Sequence, residues 1–194
     1  KLLLQINAII LQPKKNFIWA AGWNSPIYCD NRIILSYVRE REIIIDLFCF
    51  YIKKEFNSID YIAGVATGAI PYGMMIASKL NLPFIYVRDK AKSYGRQNQI
   101  EGHLKNKSNV IVIEDLISTG KSSMNAIDAI NKTGSQVCGL MSIFTYNFFN
   151  TSNLSMQYIP LCNYSTLIDV AVNKEIITQD ETTILKNWHN QNLI

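Results

Sequence analysis

Residues 109–123 (NVIVIEDLISTGKSS) constrain the fold more than any other part of the sequence. Four consecutive β-branched residues lead into two acids, Glu114 and Asp115, and a Ser-Thr-Gly turn then opens a helix-forming stretch. An unbroken apolar run of this length predicts a strand that is buried on both faces, as in a parallel sheet covered by helices. The pattern therefore indicates an α/β fold.

Alternating strand and helix patterns occupy most of the remaining chain. Strands are predicted at 61–66, 83–87, 109–114, 137–146 and 157–161. Helices are predicted over the first eleven residues and at 39–56, 69–80 and 121–132, and two more helices close the chain. Pro71 in the first turn of one helix and Gly134 after another agree with these boundaries. The alternation predicts a central, mostly parallel sheet flanked by helices, in a single domain that covers residues 1–194.

The composition excludes several classes of protein. A hydrophobic share of 48% supplies a core and excludes a disordered chain or a coiled coil. The 19 basic and 15 acidic residues give a net charge of +4, which suits anionic small molecules and does not indicate a nucleic-acid partner. No apolar run approaches the length of a membrane span. Four scattered cysteines without a CxxC pair predict free thiols in a reducing cytoplasm.

The turn that follows the central strand is the main candidate for a binding site. Ligands of open α/β sheets bind at the carboxyl ends of strands, and a turn at 118–122 offers backbone N–H groups, hydroxyl groups and a helix N-terminus to an anion. Glu114 and Asp115 suit a neutral, polyhydroxylated part of the same ligand, such as ribose. The alternative interpretation, two solvated charges at a strand end, stays open. A nucleotide P-loop is excluded, because its first glycine would fall at position 115.

This motif resembles the signature of type I phosphoribosyltransferases that binds 5-phosphoribosyl 1-diphosphate (PRPP), in which apolar residues precede two acids and a loop of small residues. Further stretches, in order along nearly the whole chain, are similar to the orotate phosphoribosyltransferase family: 25–32 (SPIYCDNR), 64–71 (GVATGAIP), 88–102 (ending NQIEG), 143–146 (IFTY) and 160–170. The resemblance implies the type I phosphoribosyltransferase fold, an α/β core preceded by a small N-terminal hood at residues 1–38.

The resemblance also implies a reaction and its partners. Members of the family join orotate to PRPP and release pyrophosphate, giving orotidine 5′-monophosphate for pyrimidine biosynthesis, with Mg²⁺ held mainly by PRPP and no protein ligand assigned. Positive charge develops on the ribose as pyrophosphate leaves, so the site needs cations for the leaving group and the exclusion of water. The stretch 88–103 would close over the site as a lid and reach the neighbouring active site of a homodimer. The alternative interpretation of this stretch is a solvated basic loop.

The residues that the resemblance implies fall into three sets. Catalytic roles are expected for Arg88, Lys92, Tyr94 and Asp115. PRPP binding is expected for Thr67, Gly68, Arg88, Lys92, Tyr94, Glu114, Asp115, Leu116, Ile117, Ser118, Thr119, Gly120, Lys121 and Ser122. Orotate binding is expected for Tyr28, Arg32, Ser118 and Tyr146.

Three positions depart from the family pattern. Tyr94 stands where the lid commonly carries His, Asn24 stands where Lys is common before Ser-Pro, and Asp89 follows Arg88. A tyrosine can donate a hydrogen bond to a diphosphate oxygen but carries no positive charge near neutral pH. A purine or other type I phosphoribosyltransferase, and a non-catalytic regulator that senses PRPP, are the alternatives at this point.

Overall fold

The computed structural model describes residues 1–18, 24–90, 98–148, 151 and 154–193. The strands are β1 (Ile9–Leu11), β2 (Phe17–Ile18), β3 (Asn24–Ser25), β4 (Ile27–Cys29), β5 (Tyr61–Val65), β6 (Phe84–Val87), β7 (Ile100–Glu101), β8 (Asn109–Ile117), β9 (Gln136–Thr145) and β10 (Gln157–Asn163). The helices are α1 (Leu2–Gln5), α2 (Val38–Glu55), α3 (Ile70–Leu80), α4 (Lys121–Asn131), α5 (Tyr164–Asn173) and α6 (Gln179–Gln191), with a 3₁₀ helix at Asn31–Ser36. Among the described helices, none combines the length and the apolarity that crossing a membrane requires.

A six-stranded sheet in the order β10-β9-β8-β5-β6-β7 forms the centre of the fold. All neighbouring strands in it are parallel except β7, which pairs antiparallel with β6 at one edge. The predicted mostly parallel sheet flanked by helices is therefore confirmed. The sequence did not predict β7, because two residues are too few to produce a periodic pattern.

Side chains along β8 alternate between two apolar layers, as the pleat of a strand requires. Ile111 and Ile113 belong to the layer formed with α2, α3, α5 and α6, whereas Val110 and Val112 belong to the layer formed with α4. All four side chains are fully buried. A strand that is covered on both faces explains why its sequence is β-branched at consecutive positions.

The N-terminal segment corrects the prediction of a helix over the first eleven residues. Helix α1 ends at Gln5, and Asn7 adopts a left-handed backbone conformation with a φ of 56°. The chain then enters β1, which pairs antiparallel with β4, and β2 pairs with β3 in a second small sheet. Ala8 and Ile9 are buried in the core, so long-range packing outweighs the local helical pattern.

The C-terminal helix α6 contacts this N-terminal segment near both of its ends. The indole Nε1 of Trp188 donates a hydrogen bond of 3.0 Å to the carbonyl oxygen of Asn24 at the start of β3. Near the other end of α6, the carboxylate of Glu181 lies 3.3 Å from Nζ of Lys14. Sequence patterns gave these residues no function, but their contacts place both ends of the helix against the first part of the chain.

Strand β5 and helix α3 approach each other closely at two glycines. A Cβ atom at Gly64 would lie 2.9 Å from the carbonyl oxygen of Ala69, and a Cβ atom at Gly73 would lie 3.3 Å from the Cα atom of Gly64. Because the nearest atoms at Gly64 are backbone atoms of Ala69 and Ile70, a methyl group at this position is accommodated only if the chain moves. The two glycines therefore let α3 pack closely against β5, and this packing determines the position of the loop between them.

We predict that Gly64→Ala destabilises the protein by about 1–3 kcal/mol, because the added methyl group separates α3 from β5. Thermal unfolding measures the change. Ser78→Ala, on the exposed side of the same helix, is the matched control and is expected to shift stability by less than about 0.5 kcal/mol. Equal stability of the two variants would contradict the close packing at Gly64.

Candidate active site

The strand order of the sheet reverses between β5 and β8. From β5 the chain continues through α3 to β6, toward one edge of the sheet, whereas from β8 it continues through α4 to β9, toward the other edge. A reversal of this kind is a topological switch point, where open α/β sheets form a crevice at the carboxyl ends of the strands. Pairing of β8 with β5 ends at Ile113, whereas pairing of β8 with β9 continues to Ile117. Glu114 and Asp115 therefore lie within a strand that has lost one neighbour, and the strand continues three residues beyond the end that the sequence predicted.

Glu114 is a buried acid, with 5% of its surface exposed. Its Oε2 accepts a hydrogen bond of 3.2 Å from the hydroxyl of Ser123 in the first turn of α4. Burial raises the pKa of Glu114 well above its ordinary value, and the neighbouring charge of Asp115 raises it further. The interpretation of the two acids as solvated charges is therefore wrong for Glu114.

The carboxylate of Asp115 lies directly against the loop that follows β5. A Cβ atom at Gly68 would be 2.6 Å from Oδ1 of Asp115, so only a glycine at position 68 lets the acid approach this closely. The peptide bond between Ala66 and Thr67 in this loop is cis. Burial also raises the pKa of Asp115, although hydrogen bonds from its surroundings oppose the rise. The structure thus brings together the predicted residues Thr67, Gly68 and Asp115.

The loop between β8 and α4 surrounds a small cavity of about 40 Å³. The cavity is lined by Glu114, Leu116, Ile117, Ser118, Thr119, Gly120, Lys121, Ser122 and Ser123. Gly120 has a φ of 77° and precedes the first residue of α4, and no side-chain hydrogen bond caps this helix. Backbone N–H groups in the first turn of a helix need partners, and an anion is well suited to that position. The predicted phosphate loop is therefore assembled around one cavity.

Arg88 follows β6 at the same edge of the sheet. Its backbone N–H donates to the carbonyl oxygen of Gln99 at 2.9 Å, and the Gln99 side chain donates back to the Arg88 carbonyl oxygen at 3.0 Å. The guanidinium Nη1 lies 3.6 Å from a carboxylate oxygen of Glu101 in β7. The two ends of the predicted lid are thus joined in an antiparallel pair. Lys92 and Tyr94 lie outside the described residues, so their roles stay predictions.

The predicted orotate-binding residues have different surroundings. Tyr28 is partly exposed, and its ring lies 5.5 Å from that of Phe17. Arg32 is exposed and donates from Nε and Nη2 to the two carboxylate oxygens of Asp30, at 2.7 and 2.8 Å. The hydrogen bond from the Arg32 side chain is the main cause that lowers the pKa of Asp30. One edge of the guanidinium is therefore already occupied within the hood.

Tyr146 is placed differently from the other expected orotate contacts. Only 1% of its surface is exposed, because its ring packs among Phe144, Phe148, Tyr164 and Trp188. Burial accordingly raises the pKa of its hydroxyl. Its backbone N–H donates to the carbonyl oxygen of Ile117 at 3.0 Å, so its main chain supports the phosphate loop. Contact between Tyr146 and orotate stays a prediction.

Sequence patterns missed two residues that connect the site to the hood. The side chain of Asn31 donates to the carbonyl oxygen of Asp115 at 2.6 Å, and the hydroxyl of Tyr72 donates to the carbonyl oxygen of Asn31 at 2.6 Å. Both contacts join residues far apart in sequence, and neither residue belongs to a periodic or charged pattern. Position 31 lies inside the hood segment SPIYCDNR, which was the only signal available.

Similarity to known proteins identifies the family of this chain. Residues 36–153 match the family model of the phosphoribosyl transferase domain, which places the chain among the phosphoribosyltransferases. The curated orotate phosphoribosyltransferase of Listeria innocua is 43% identical over 190 residues, covering 96% of this chain and 91% of that protein. At this identity and coverage, the chain belongs to the orotate phosphoribosyltransferase family.

Solved structures agree on the fold. The Leishmania donovani UMP synthase structure superimposes with a TM-score of 0.79 and 22% identity, covering 98% of this chain and 41% of that one. This chain therefore spans well under half of the UMP synthase. The orotate phosphoribosyltransferase of Aeropyrum pernix gives a TM-score of 0.75 and 23% identity, covering 87% of this chain and 94% of that one. The expected type I phosphoribosyltransferase fold is confirmed.

We predict that Glu114→Gln raises the thermal stability of the protein at about pH 8 while lowering its activity. The folded chain holds the Glu114 proton more tightly than the unfolded chain, because burial raises the pKa. The associated stability is full below the ordinary pKa of Glu and is lost as pH rises through the raised pKa. Glutamine keeps the shape without a charge, so a gain of about 2–4 °C is expected.

Thermal unfolding between about pH 5 and pH 8 measures this prediction. The Gln variant should lose less stability than the original chain as pH rises. Glu42→Gln, at a carboxylate that is half exposed, is the control and should leave the pH dependence unchanged. A Gln variant that is less stable than the original chain at the upper pH would show that the ionised carboxylate stabilises the fold.

Proposed function

We propose that the chain transfers the 5-phosphoribosyl group of PRPP to orotate, giving orotidine 5′-monophosphate and pyrophosphate. Membership of the orotate phosphoribosyltransferase family supports this reaction. The observation that carries it is the position of Asp115: its carboxylate lies against Gly68, and its neighbours Glu114 and Leu116 line the cavity of the loop that follows β8. Two loops on either side of one acid suit a ribose that bears a phosphate at each end.

The positions of the loops support one orientation of PRPP. The 5′-phosphate would bind at residues 116–122, where the N-terminus of α4 favours negative charge. Glu114 and Asp115 would accept hydrogen bonds from the ribose hydroxyl groups, which are neutral and therefore tolerate the acids. The diphosphate would lie beside Thr67, Gly68 and Arg88, and a guanidinium is a suitable bidentate partner for phosphate.

The residues of the crevice suit the chemistry of the transfer. The bond between the anomeric carbon and the diphosphate oxygen breaks, and a ring nitrogen of orotate forms the new bond to that carbon. Positive charge develops on the ribose during this change, and the acidic side chains of Glu114 and Asp115 beside it would stabilise it. Arg88, with Lys92 from the lid, would offset the negative charge on the departing pyrophosphate.

The hood is the part of the chain that would select the base. Nε and Nη2 of Arg32 donate to Asp30, and no described residue accepts a hydrogen bond from its Nη1, which would therefore pair with the orotate carboxylate. Tyr28, which is partly exposed, offers an aromatic face to the pyrimidine. Ser118 adds a hydroxyl at the start of the phosphate loop. A carboxylate-binding arginine favours orotate over bases that lack the acid group.

Magnesium would be bound mainly through the oxygen atoms of PRPP. Diphosphate and ribose oxygens are the hard ligands that this ion prefers, and the buried carboxylates of β8 lie beside the ribose position. Within the described ranges there is no group of three or more His, Cys, Asp and Glu side chains that could hold a metal. The ion would neutralise charge on the diphosphate when it is bound.

We further propose that the protein works as a cytoplasmic homodimer of single phosphoribosyltransferase domains, each with residues 1–38 as its hood. Residues 88–103 would act as a lid that reaches the active site of the neighbouring subunit. The hydrogen bonds between Arg88 and Gln99 bring the two described sides of this stretch together, which supports the proposal. The cysteines Cys29, Cys49, Cys138 and Cys162 are free, which agrees with a reducing compartment.

The first test follows the loss of orotate absorbance when the protein is mixed with PRPP and magnesium. We predict consumption of orotate but not of uracil, hypoxanthine or adenine. Asp115→Asn should lower turnover by about 10²–10³-fold, because it removes a charge beside the reacting carbon. Asp128→Asn, at an exposed acid of α4, is the matched control and should retain turnover. Turnover of a purine, or none with any base, would refute the proposed substrate.

A second test addresses the shared active site. Asp115→Asn and Lys92→Ala are each expected to be nearly inactive as pure proteins. If the lid of one subunit serves the crevice of the other, mixed dimers contain one site with both residues intact, and mixing should restore activity. Two preparations of the same variant, mixed in the same way, are the control. Activity that does not rise on mixing would show that each lid serves its own subunit.

A further inference from the structure

Asn31 is the point where the hood touches the acidic pair. It is the first residue of the 3₁₀ helix, and only 1% of its surface is exposed. Its Nδ2 donates a hydrogen bond of 2.6 Å to the main-chain oxygen of Asp115. Because a carbonyl oxygen can only accept, this contact fixes which end of the amide faces the strand. The hood is thereby hydrogen-bonded to the strand position that carries Asp115.

The contact occurs where β8 has lost support from its neighbour. The ladder between β5 and β8 ends with the pair Gly64 and Ile113, two positions before Asp115. Beyond that point, β8 keeps β9 on one side only. A side chain that binds the Asp115 carbonyl oxygen limits the movement of the strand just where its acid must be held. Asn31 thus provides a hydrogen bond to β8 beyond the last pair with β5.

A second hydrogen bond joins the same residue to α3. The hydroxyl of Tyr72, which is fully buried, donates to the main-chain oxygen of Asn31 at 2.6 Å. Tyr72 lies in the first turn of α3, shortly after the loop that contains Thr67 and Gly68. Asn31 therefore contacts two of the elements that border the crevice, and it belongs to the hood itself.

Packing alone does not explain why an asparagine occupies position 31. Its Oδ1 is buried, and no donor reaches it in the part of the chain that the structure describes. A buried amide with an unsatisfied oxygen lowers stability, and an apolar residue of similar volume fills the same space without that penalty. The contact of its Nδ2 with Asp115 is what a leucine at position 31 would lack.

We propose that Asn31 is a positioning residue that acts through Asp115, holding this acid in register with the PRPP ribose and with the hood. The proposal rests on the proposed function, since it assumes that Asp115 contacts the ribose. It assigns to the hood a role in binding PRPP in addition to its role in selecting the base.

The test measures PRPP affinity by titration calorimetry and kcat/KM for PRPP by the orotate assay. Asn31→Leu should weaken both by about ten-fold, the effect of one lost hydrogen bond, while the variant remains folded. In an Asp115→Asn background, the same substitution should change PRPP affinity by less than about two-fold, because the acid that it positions has been removed. Asn31→Ala is measured in the same way, with and without Asp115→Asn, so that the proposal can still be tested if the Leu variant does not fold.

Tyr72→Phe is the matched control for a general loosening of the hood. It deletes a buried hydrogen bond to the same residue without touching the bond to Asp115. Its melting temperature should fall, but its PRPP affinity should stay within about two-fold of the original chain.

Three results would overturn the proposal: normal PRPP affinity in both Asn31 variants, equal losses with and without the Asp115 carboxylate, or an equal loss in Tyr72→Phe. Failure of the unaltered chain to bind PRPP would instead count against the proposed function.

Discussion

The end of the β5–β8 ladder at Ile113 is the constraint on which the rest of the site depends. Ligands of open α/β sheets bind beyond the carboxyl ends of the strands, and here β8 continues beyond its neighbour β5 and keeps only β9 beside it. The freed side of the strand faces the loop at Gly68, where the lack of a Cβ atom admits the carboxylate of Asp115. Close packing between β5 and α3 then holds that loop in place. Each feature of the crevice follows from the previous one.

Burial of two neighbouring acids has an electrostatic consequence for stability. Desolvation raises the pKa of Glu114 and of Asp115, so both acids release their protons less readily than free carboxyl groups do. The fold holds the oxygen atoms of these acids in fixed positions, and polar groups that are oriented in advance are the condition for efficient electrostatic stabilisation. The fold tolerates this arrangement because Ser123 and the N-terminus of α4 lie next to the acids. If Glu114 binds the ribose as proposed, function and stability oppose each other at this residue.

Contacts between distant parts of the chain determine where the hood lies. Asn31 contacts β8, Trp188 of α6 contacts Asn24, and the carboxylate of Glu181 lies beside Lys14. None of these contacts lies within one secondary-structure element, so two hydrogen bonds and one ion pair from separate elements position the first part of the chain. An arrangement of this kind lets the first part of the chain vary in sequence while the six-stranded sheet keeps its structure.

The sequence alone determined the features that depend on local order. The run 109–123 indicated the buried strand, the two acids and the phosphate loop, because strand, loop and helix follow one another without interruption and each has its own pattern. The alternation of strands and helices likewise indicated the mostly parallel sheet. Stretches similar to a known family pointed to the hood and lid segments, although Lys92 and Tyr94 lie outside the described residues.

Tertiary structure alone decided the features that depend on contacts across the chain. It ended α1 at Gln5, buried the ring of Tyr146, paired Arg32 with Asp30 and brought Asn31 to the carbonyl oxygen of Asp115. A hydrogen bond between residues 84 positions apart leaves no periodic signal in either segment, because each residue is locally ordinary. Sequence patterns report the shape and polarity of single elements, whereas the position of one element against another depends on packing of the whole chain.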